Sequence, residues 1–216
     1  RQMCIRDRLT TIANRLIQFP LKKRQPHANK AQNTAAVLVI LHGEDSDPKI
    51  VLTQRAFHLK SHAGEVAFPG GMWDNGDENL LQTALREANE EIGLNPSSVI
   101  PVATLPSASP KRKEVSVTPF VAIGSGDLEL AADASETAAI FNAPLKIFME
   151  LDQYKYFEFN AEIDNGGEVI RLPYLTYNDY KIWGFTLKVI TDLLNSTLDA
   201  GIELKYPQHA STMKEK

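Results

Sequence analysis

GMWDNGDENLLQTALREANEEIGL, residues 71–94, joins a glycine turn to an acidic helix. Leu81, Leu85, Ala88 and Ile92 recur at intervals of four, three and four residues, which draws one apolar stripe down a helix expected over 77–92. Asn75 followed by Glu78 reads as a capping box at its start. Gly93 stands where a left-handed residue ends a helix, with Leu94 closing the apolar contact behind it. Six acids (Asp74, Asp77, Glu78, Glu87, Glu90, Glu91) and one base, Arg86, crowd into this stretch. At 100° per residue Glu87 and Glu91 lie within about 40° of each other, one turn apart, and Glu90 lies roughly 60° to one side. All three point away from the apolar stripe. Like charges at that spacing repel by about 1 kcal/mol in water and by several in a medium of lower dielectric. A hard divalent cation relieves such repulsion, and magnesium commonly takes one or two carboxylates plus a substrate phosphate. The bland alternative is the solvated face of an amphipathic helix. The Phe68-Pro69-Gly70-Gly71 stretch just before it favours a site, because glycine lets a backbone approach a ligand closely.

Upstream, Ala35–Leu41 is a short, apolar, β-branched run that reads as a buried strand, and Lys49–Arg55 reads as its hairpin partner across a turn-rich Gly43–Pro48. Val66-Ala67-Phe68 is a further strand, stopped by Pro69. Leu9, Ile12, Ala13, Leu16 and Ile17 predict an N-terminal helix ended by Pro20, with a basic connector after it. Downstream, strands are expected at Val99–Leu105, Val115–Ile123, Tyr154–Phe159, Val169–Tyr174 and Lys181–Trp183, with a turn at Asn165-Gly166-Gly167. Pro144–Met149 reads as a short helix and Gly184–Asn195 as a closing amphipathic one. Strands interrupted by a few helices imply a mixed sheet between helices, an α+β or α/β arrangement.

The 216 residues include 27 acids and 23 bases, for a formal charge of −4, which argues against a counterion-displacing nucleic-acid binder. The seven-residue apolar run Ala35–Leu41 falls far short of the ~20 residues a bilayer demands. Residues 1–20 show no signal-peptide pattern, and the chain begins on Arg1 rather than Met. The single cysteine, Cys4, permits no internal disulfide and no thiolate zinc cluster. A cytoplasmic protein with no membrane and no nucleic-acid partner is the expectation.

Residues 71–94 resemble the Nudix box, G-x5-E-x7-R-E-U-x-E-E-x-G-U with U apolar. From Arg86 to Leu94 the match is complete. In the front half, counting back from Arg86 reaches Glu78, whereas counting forward from Gly71 reaches Asp77, so both acids stay open for the early position. LTQRAFHLKSHAGEVAFPGG, residues 52–71, resembles the signature of the coenzyme A pyrophosphatase subfamily: Thr53, Arg55, Ala56, Gly64 and Phe68–Gly71 fit, and Lys60 stands where the pattern has Arg. ETAAIFNAPLKIF, residues 136–148, and IWGFT, residues 182–186, are similar to two later stretches of that subfamily, with Ala139 replacing an acid. The resemblance spans about residues 35–195.

It implies a Nudix-type α/β/α sandwich with a mixed β-sheet, here carrying an additional N-terminal helix. The implied division is 1–30 helix and connector, 31–200 Nudix hydrolase domain, and 201–216 polar tail. It implies metal-dependent cleavage of a pyrophosphate in coenzyme A or its derivatives, giving 3′,5′-ADP and 4′-phosphopantetheine. Mg2+ or Mn2+ is the expected cofactor, held by Glu87, Glu91 and Glu90. Arg86 is expected to orient the glutamates, and Glu90, Glu91 and Arg86 form the expected catalytic set. Arg55, Lys60, Gly70, Gly71 and His62 are the expected substrate-binding residues, and a homodimer is compatible with this reading.

His62 reads either as a phosphate contact or as an ordinary loop histidine, and His58 and His42 carry weaker claims. Lys111-Arg112-Lys113 is either a solvated basic loop or the receiver of the 3′-phosphate. Glu136 is either a late metal ligand or general base, or a surface acid. Trp73 and Trp183 are candidates for stacking on a base, with Trp183 reading more as core. Two other functions compete. One is a Nudix hydrolase of another nucleoside diphosphate derivative, such as ADP-ribose or a dinucleotide, which Lys60 and Ala139 keep in play. The other is a non-catalytic Nudix binding module, which retention of Glu87, Glu90 and Glu91 argues against.

Overall fold

The computed structural model describes residues 8–26, 33–109, 115–161 and 168–206. Its centre is β1 (Thr34–Glu44), whose apolar run is buried on both faces. Alternation sends Ala36, Leu38 and Ile40 into one core, against helix α2 (Leu80–Ile92), and Val39 and Leu41 into the other. That second core is closed by Ile12 and Leu16, from α1 (Arg8–Arg15) and the 3-10 turn after it, and by Leu187, Ile190 and Leu194 of α3 (Gly184–Leu198). The result is the expected α/β/α sandwich. Asp45, in the turn after β1, receives the N–H groups of Arg8 and Leu9 on its carbonyl and that of Thr10 on its carboxylate, which caps α1 from the hairpin.

β1 forms an antiparallel hairpin with β2 (Asp47–Arg55), but the two pair only from Leu41–Ile50 to Glu44–Asp47 and then splay apart. The segment 66–72 fills the opening. Its first part, β3 (Val66–Ala67), pairs with β2, and its second, β4 (Gly70–Met72), pairs with β1. Between them the Pro69 carbonyl accepts the Leu38 N–H at 2.8 Å. The expected strand therefore does not simply stop at Pro69. It crosses from one neighbour to the other.

β6 (Ser116–Gly124) lies parallel to β1 on its other side, and β5 (Val99–Thr104) pairs antiparallel with β6. The far edge of β2 is covered by β7 (Thr137–Pro144), a strand the sequence pattern did not disclose. Its three alanines, Asn142 and Pro144 dilute the strand preference of Thr137, Ile140 and Phe141, and pairing along Lys49–Arg55 holds it extended. The short helix expected over Pro144–Met149 is a 3-10 helix, Leu145–Met149.

A second antiparallel sheet comprises β8 (Lys155–Ala161), β9 (Glu168–Tyr177) and β10 (Tyr180–Trp183). Tyr180 stacks on Phe141 of β7 at 3.9 Å between ring centroids, joining the two sheets. The expected Asn165-Gly166-Gly167 turn lies outside the described residues. Trp183 is half-buried and meets the edge of Phe157 at 5.4 Å rather than sitting in the core.

The start of α2 corrects the capping-box expectation. The helix begins at Leu80, not Asp77, and its cap is Asn79, whose Oδ1 accepts the N–H groups of Leu81 and Gln82. Residues 74–78 instead make a turn, with the Glu78 N–H given to the Gln82 side chain. Gly93 ends the helix in the left-handed region at φ 63°, as its position implied.

Candidate active site

Arg86 is the hub of the acidic helix. Its guanidinium grips Asp77 with two bonds, Nε to Oδ1 at 2.9 Å and Nη2 to Oδ2 at 3.0 Å. Nη1 donates to Glu87 Oε1 at 2.8 Å and to Glu90 Oε2 at 2.9 Å, while Nη2 also reaches the Met72 carbonyl. The planar fork is what allows one cation to hold three carboxylates in fixed directions. Asp77 is buried, and its bonds to Arg86 hold its carboxyl below the usual range. Glu78 is exposed. Of the two acids open for the early box position, Asp77 is the one Arg86 holds. The count of five from Gly71 reaches this acid, whereas the count back from Arg86 reaches exposed Glu78.

Glu91 and Glu87 flank the two glycines. Glu91 is 5% exposed, accepts the Gly70 N–H at 3.0 Å, and has Arg55 Nη1 3.6 Å from its other oxygen. Burial raises its carboxyl from 4.5 to about 7, against the pull of the Gly70 N–H and Arg55, with the charges of Glu87 and Glu136 pushing the same way as burial. Burial raises Glu87 too, partly opposed by Arg86. Gly70 has φ 153°, and a Cβ there would strike the backbone of Ala36 and Val37, so only glycine lets β4 reach β1. A Cβ on Gly71 would strike the Glu87 carboxylate itself. The diglycine is thus the floor on which two glutamates rest.

Two loops converge on this floor. The first leaves β2 after Arg55 and returns at Glu65, closed by the Arg55 N–H to Glu65 carbonyl bond and the Gly64 N–H to Arg55 carbonyl bond. It carries exposed Lys60 and His62, the latter 2.8 Å from the Glu65 carboxylate. The second runs into β7 and is tied to the end of α2 by the Asp133 N–H to Glu91 carbonyl bond, and to the first loop by the Ala56 N–H to Glu136 carbonyl bond. It brings Glu136 near enough for its charge to act on both Glu87 and Glu91. His42 is buried on β1 against Asn142, 2.8 Å away. Lys111-Arg112-Lys113 lies outside the described residues.

Glu90 departs from the expected trio. It is 56% exposed and turned toward Arg86 on the outer side of the helix. There it borders an open groove of about 530 Å3 that Trp73, Asp74, Asp77 and Gln82 also line. Among the described residues no three His, Cys, Asp or Glu side chains gather closely enough to hold an ion unaided. The donor set nevertheless fits a hard divalent cation. Glu87 and Glu91 offer carboxylate oxygens one helical turn apart, both raised by burial and by neighbouring negative charge, the kind of donor a hard dication would take. Arg55 Nε is buried with no partner among the described residues, a donor unused by the protein beside that pair.

A mixed sheet sandwiched by helices thus carries an arginine-ordered acidic helix over a diglycine bend. The NUDIX domain model matches residues 32–166, more than half of the chain, which belongs to the Nudix family. It is 34% identical over 186 residues to an Escherichia coli O7:K1 protein named an uncharacterized Nudix hydrolase, NudL, covering 86% of this chain and 94% of that one. Among solved structures, a MutT/nudix family protein from Enterococcus faecalis superposes with a TM-score of 0.50 at 16% identity, covering 92% of this chain and 71% of that one. A Nudix hydrolase from M. smegmatis, RenU, aligns over 53% of this chain and 72% of its own at 21% identity and a TM-score of 0.46. The protein is a pyrophosphohydrolase enzyme, and Nudix hydrolases generally use divalent metal ions. Among the described residues no helix is long and apolar enough to cross a membrane.

Proposed function

We propose that the protein hydrolyses the pyrophosphate of coenzyme A or its derivatives, giving 3′,5′-ADP and 4′-phosphopantetheine, with Mg2+ or Mn2+ as cofactor. The observation that carries the reading is the 3.6 Å approach of Arg55 to Glu91. It joins the stretch that resembles the coenzyme A pyrophosphatase signature to the acidic helix in one site. Glu87 and Glu91 would hold the ion, with Glu136 beside them and Glu90 assisting from the outer side. When bound, the ion neutralises phosphate charge and acidifies a coordinated water.

The chain's own residues do the rest. Gly70 fixes the direction of Glu91 through its N–H, and Gly71 leaves room for the Glu87 carboxylate. Arg86 orients Glu87 and Glu90 and neutralises buried Asp77. Arg55, whose side chain is partly exposed beside Glu91, and Lys60 take phosphate oxygens, with His62 at the rim. Glu136 faces the helical glutamates from outside their helix, where a carboxylate can accept a proton from the attacking water. The substrate is a small nucleotide, the setting cytoplasmic, and 31–200 the catalytic unit.

A second reading, hydrolysis of another nucleoside diphosphate derivative such as ADP-ribose or a dinucleotide, is favoured by Lys60. Its ammonium keeps the charge of the pattern's Arg without the two-pronged phosphate contact. The protein incubated with coenzyme A, ADP-ribose and a dinucleotide, each with Mg2+ or Mn2+, distinguishes the two when products are identified by mass. Release of 3′,5′-ADP and 4′-phosphopantetheine is expected. Cleavage of ADP-ribose with coenzyme A left intact refutes the first reading in favour of the second.

A further inference from the structure

We infer that His58 is a positioning residue for Glu136: its ring N–H fastens the turn carrying Glu136 to the Arg55 loop and so fixes where that carboxylate stands over Glu87 and Glu91. The inference rests on the reading that Glu136 serves the reaction. His58 Nε2 lies 3.0 Å from the Ser135 carbonyl oxygen. A carbonyl only accepts, so Nε2 carries the proton and donates. Its neighbour in the turn, Glu136, accepts the Ala56 N–H through its own carbonyl at 2.8 Å. Residues 56 and 58 of one loop thus hold residues 136 and 135 of the other.

Two attachments do what one cannot. A single backbone bond is a hinge about which the turn swings. A second bond from the same loop, two residues away, stops the swing. The need for it is visible in the sheet, where the β2–β7 ladder shifts register between Gln54 and Arg55 and runs out at the Arg55–Thr137 pair, one residue short of Glu136. Such irregularities re-aim the adjoining side chains and end regular pairing. Beyond the Arg55–Thr137 pair the turn depends on discrete contacts. Its own bonds, Glu136 N–H and Thr137 N–H to the Asp133 carbonyl and the Ser135 N–H to Asp133 Oδ1, shape it internally without anchoring it to the Arg55 loop. The Asp133 N–H to Glu91 carbonyl bond anchors its other end to α2. His58 completes a three-point mount that sets the approach of Glu136 to the helical glutamates.

The test is a mutant cycle with two readouts. With coenzyme A and Mg2+, His58→Phe lowers kcat about threefold to tenfold, the weight of one net hydrogen bond, with KM nearly unchanged. Amide hydrogen exchange at Ala56 and Thr137, followed by NMR without substrate, speeds up by a similar factor. His58→Gln, whose amide can donate to the same carbonyl, restores both. In a Glu136→Gln background His58→Phe gives no further loss of kcat yet still speeds exchange, because coupled residues are not additive. An equal fold-loss of kcat in both backgrounds, or unchanged exchange at Ala56 and Thr137, overturns the inference. If Glu136→Gln alone leaves kcat intact, the reading of Glu136 fails and the positioning role falls with it, while family membership stands. Should His58→Phe fold poorly by circular dichroism, His58→Leu replaces it in the same cycle.

Discussion

Replacing Glu91 with Gln separates stability from function, because the same burial that suits Glu91 to a cation penalises it without one. The ordinary value of 4.5 is lifted to about 7 in the folded chain. Below pH 4.5 folded and unfolded chains both carry the proton, and the group contributes nothing. Between 4.5 and about 7 the folded chain keeps the proton that the unfolded chain has released, so stability falls as pH rises. Above about 7 the loss is complete, at about 3 kcal/mol when each tenfold is 1.36 kcal/mol. Gln keeps an acceptor for the Gly70 N–H and removes the charge, at the loss of the longer Arg55 contact. For a chain of this size 1 kcal/mol moves Tm by about 2–4 °C. Metal-free Glu91→Gln is therefore expected to melt several degrees above the wild type at pH 8 and level with it near pH 4.5, by differential scanning calorimetry in chelator. Added Mg2+ should raise the wild type and leave the variant unmoved, while turnover of the variant disappears. A melting difference of equal size at pH 4.5 and pH 8 would refute the reasoning, since it would owe nothing to the ionised carboxylate.

Gly71→Ala should depress kcat at least tenfold with little change in circular dichroism, because the added Cβ meets the Glu87 carboxylate and the backbone there is not left-handed. Wild-type turnover in that variant would show that Glu87 is free to move aside. Arg86→Lys should lower both kcat and melting temperature. A single ammonium cannot keep two bonds to buried Asp77 while also directing Glu87 and Glu90, and breaking a buried pair is worth about 3–5 kcal/mol at the extreme of outright removal. Thermal melts and initial rates side by side check it, and unchanged values in both would contradict the hub.

What the sequence disclosed and what it withheld divide along physical lines. β1 was legible because it is an unbroken apolar run buried on both faces, and α2 because Leu81, Ala88 and Ile92 recur on one buried face. The box residues from Arg86 to Ile92 were legible because they lie on one regular helix, which Gly93 ends. Asp77 was legible only as one of two alternatives with Glu78, since the turn before Leu80 has no apolar repeat to say which acid is held. β7 was not legible, because its alanines and asparagine owe their extended form to a partner strand distant in sequence. Glu136 could be named from the residues, but its place beside Glu87 and Glu91 depends on the Asp133 to Glu91 and Ala56 to Glu136 backbone bonds, which leave no local pattern. Asn79 displaced Asn75 as the cap for a simple reason: its side chain reaches two free N–H groups at once.

The parallel pairing of β1 with β6 bears on how the enzyme is made. Thr34 meets Ser116, and everything between them, including both glycines and the whole acidic helix, is translated before that ladder can close. Contacts so remote along the chain slow folding, since the entropy of closing the loop is surrendered before any reward arrives. A ribosome-bound chain ending short of residue 116 would leave one edge of its most apolar strand bare, a state that invites chaperone engagement or aggregation.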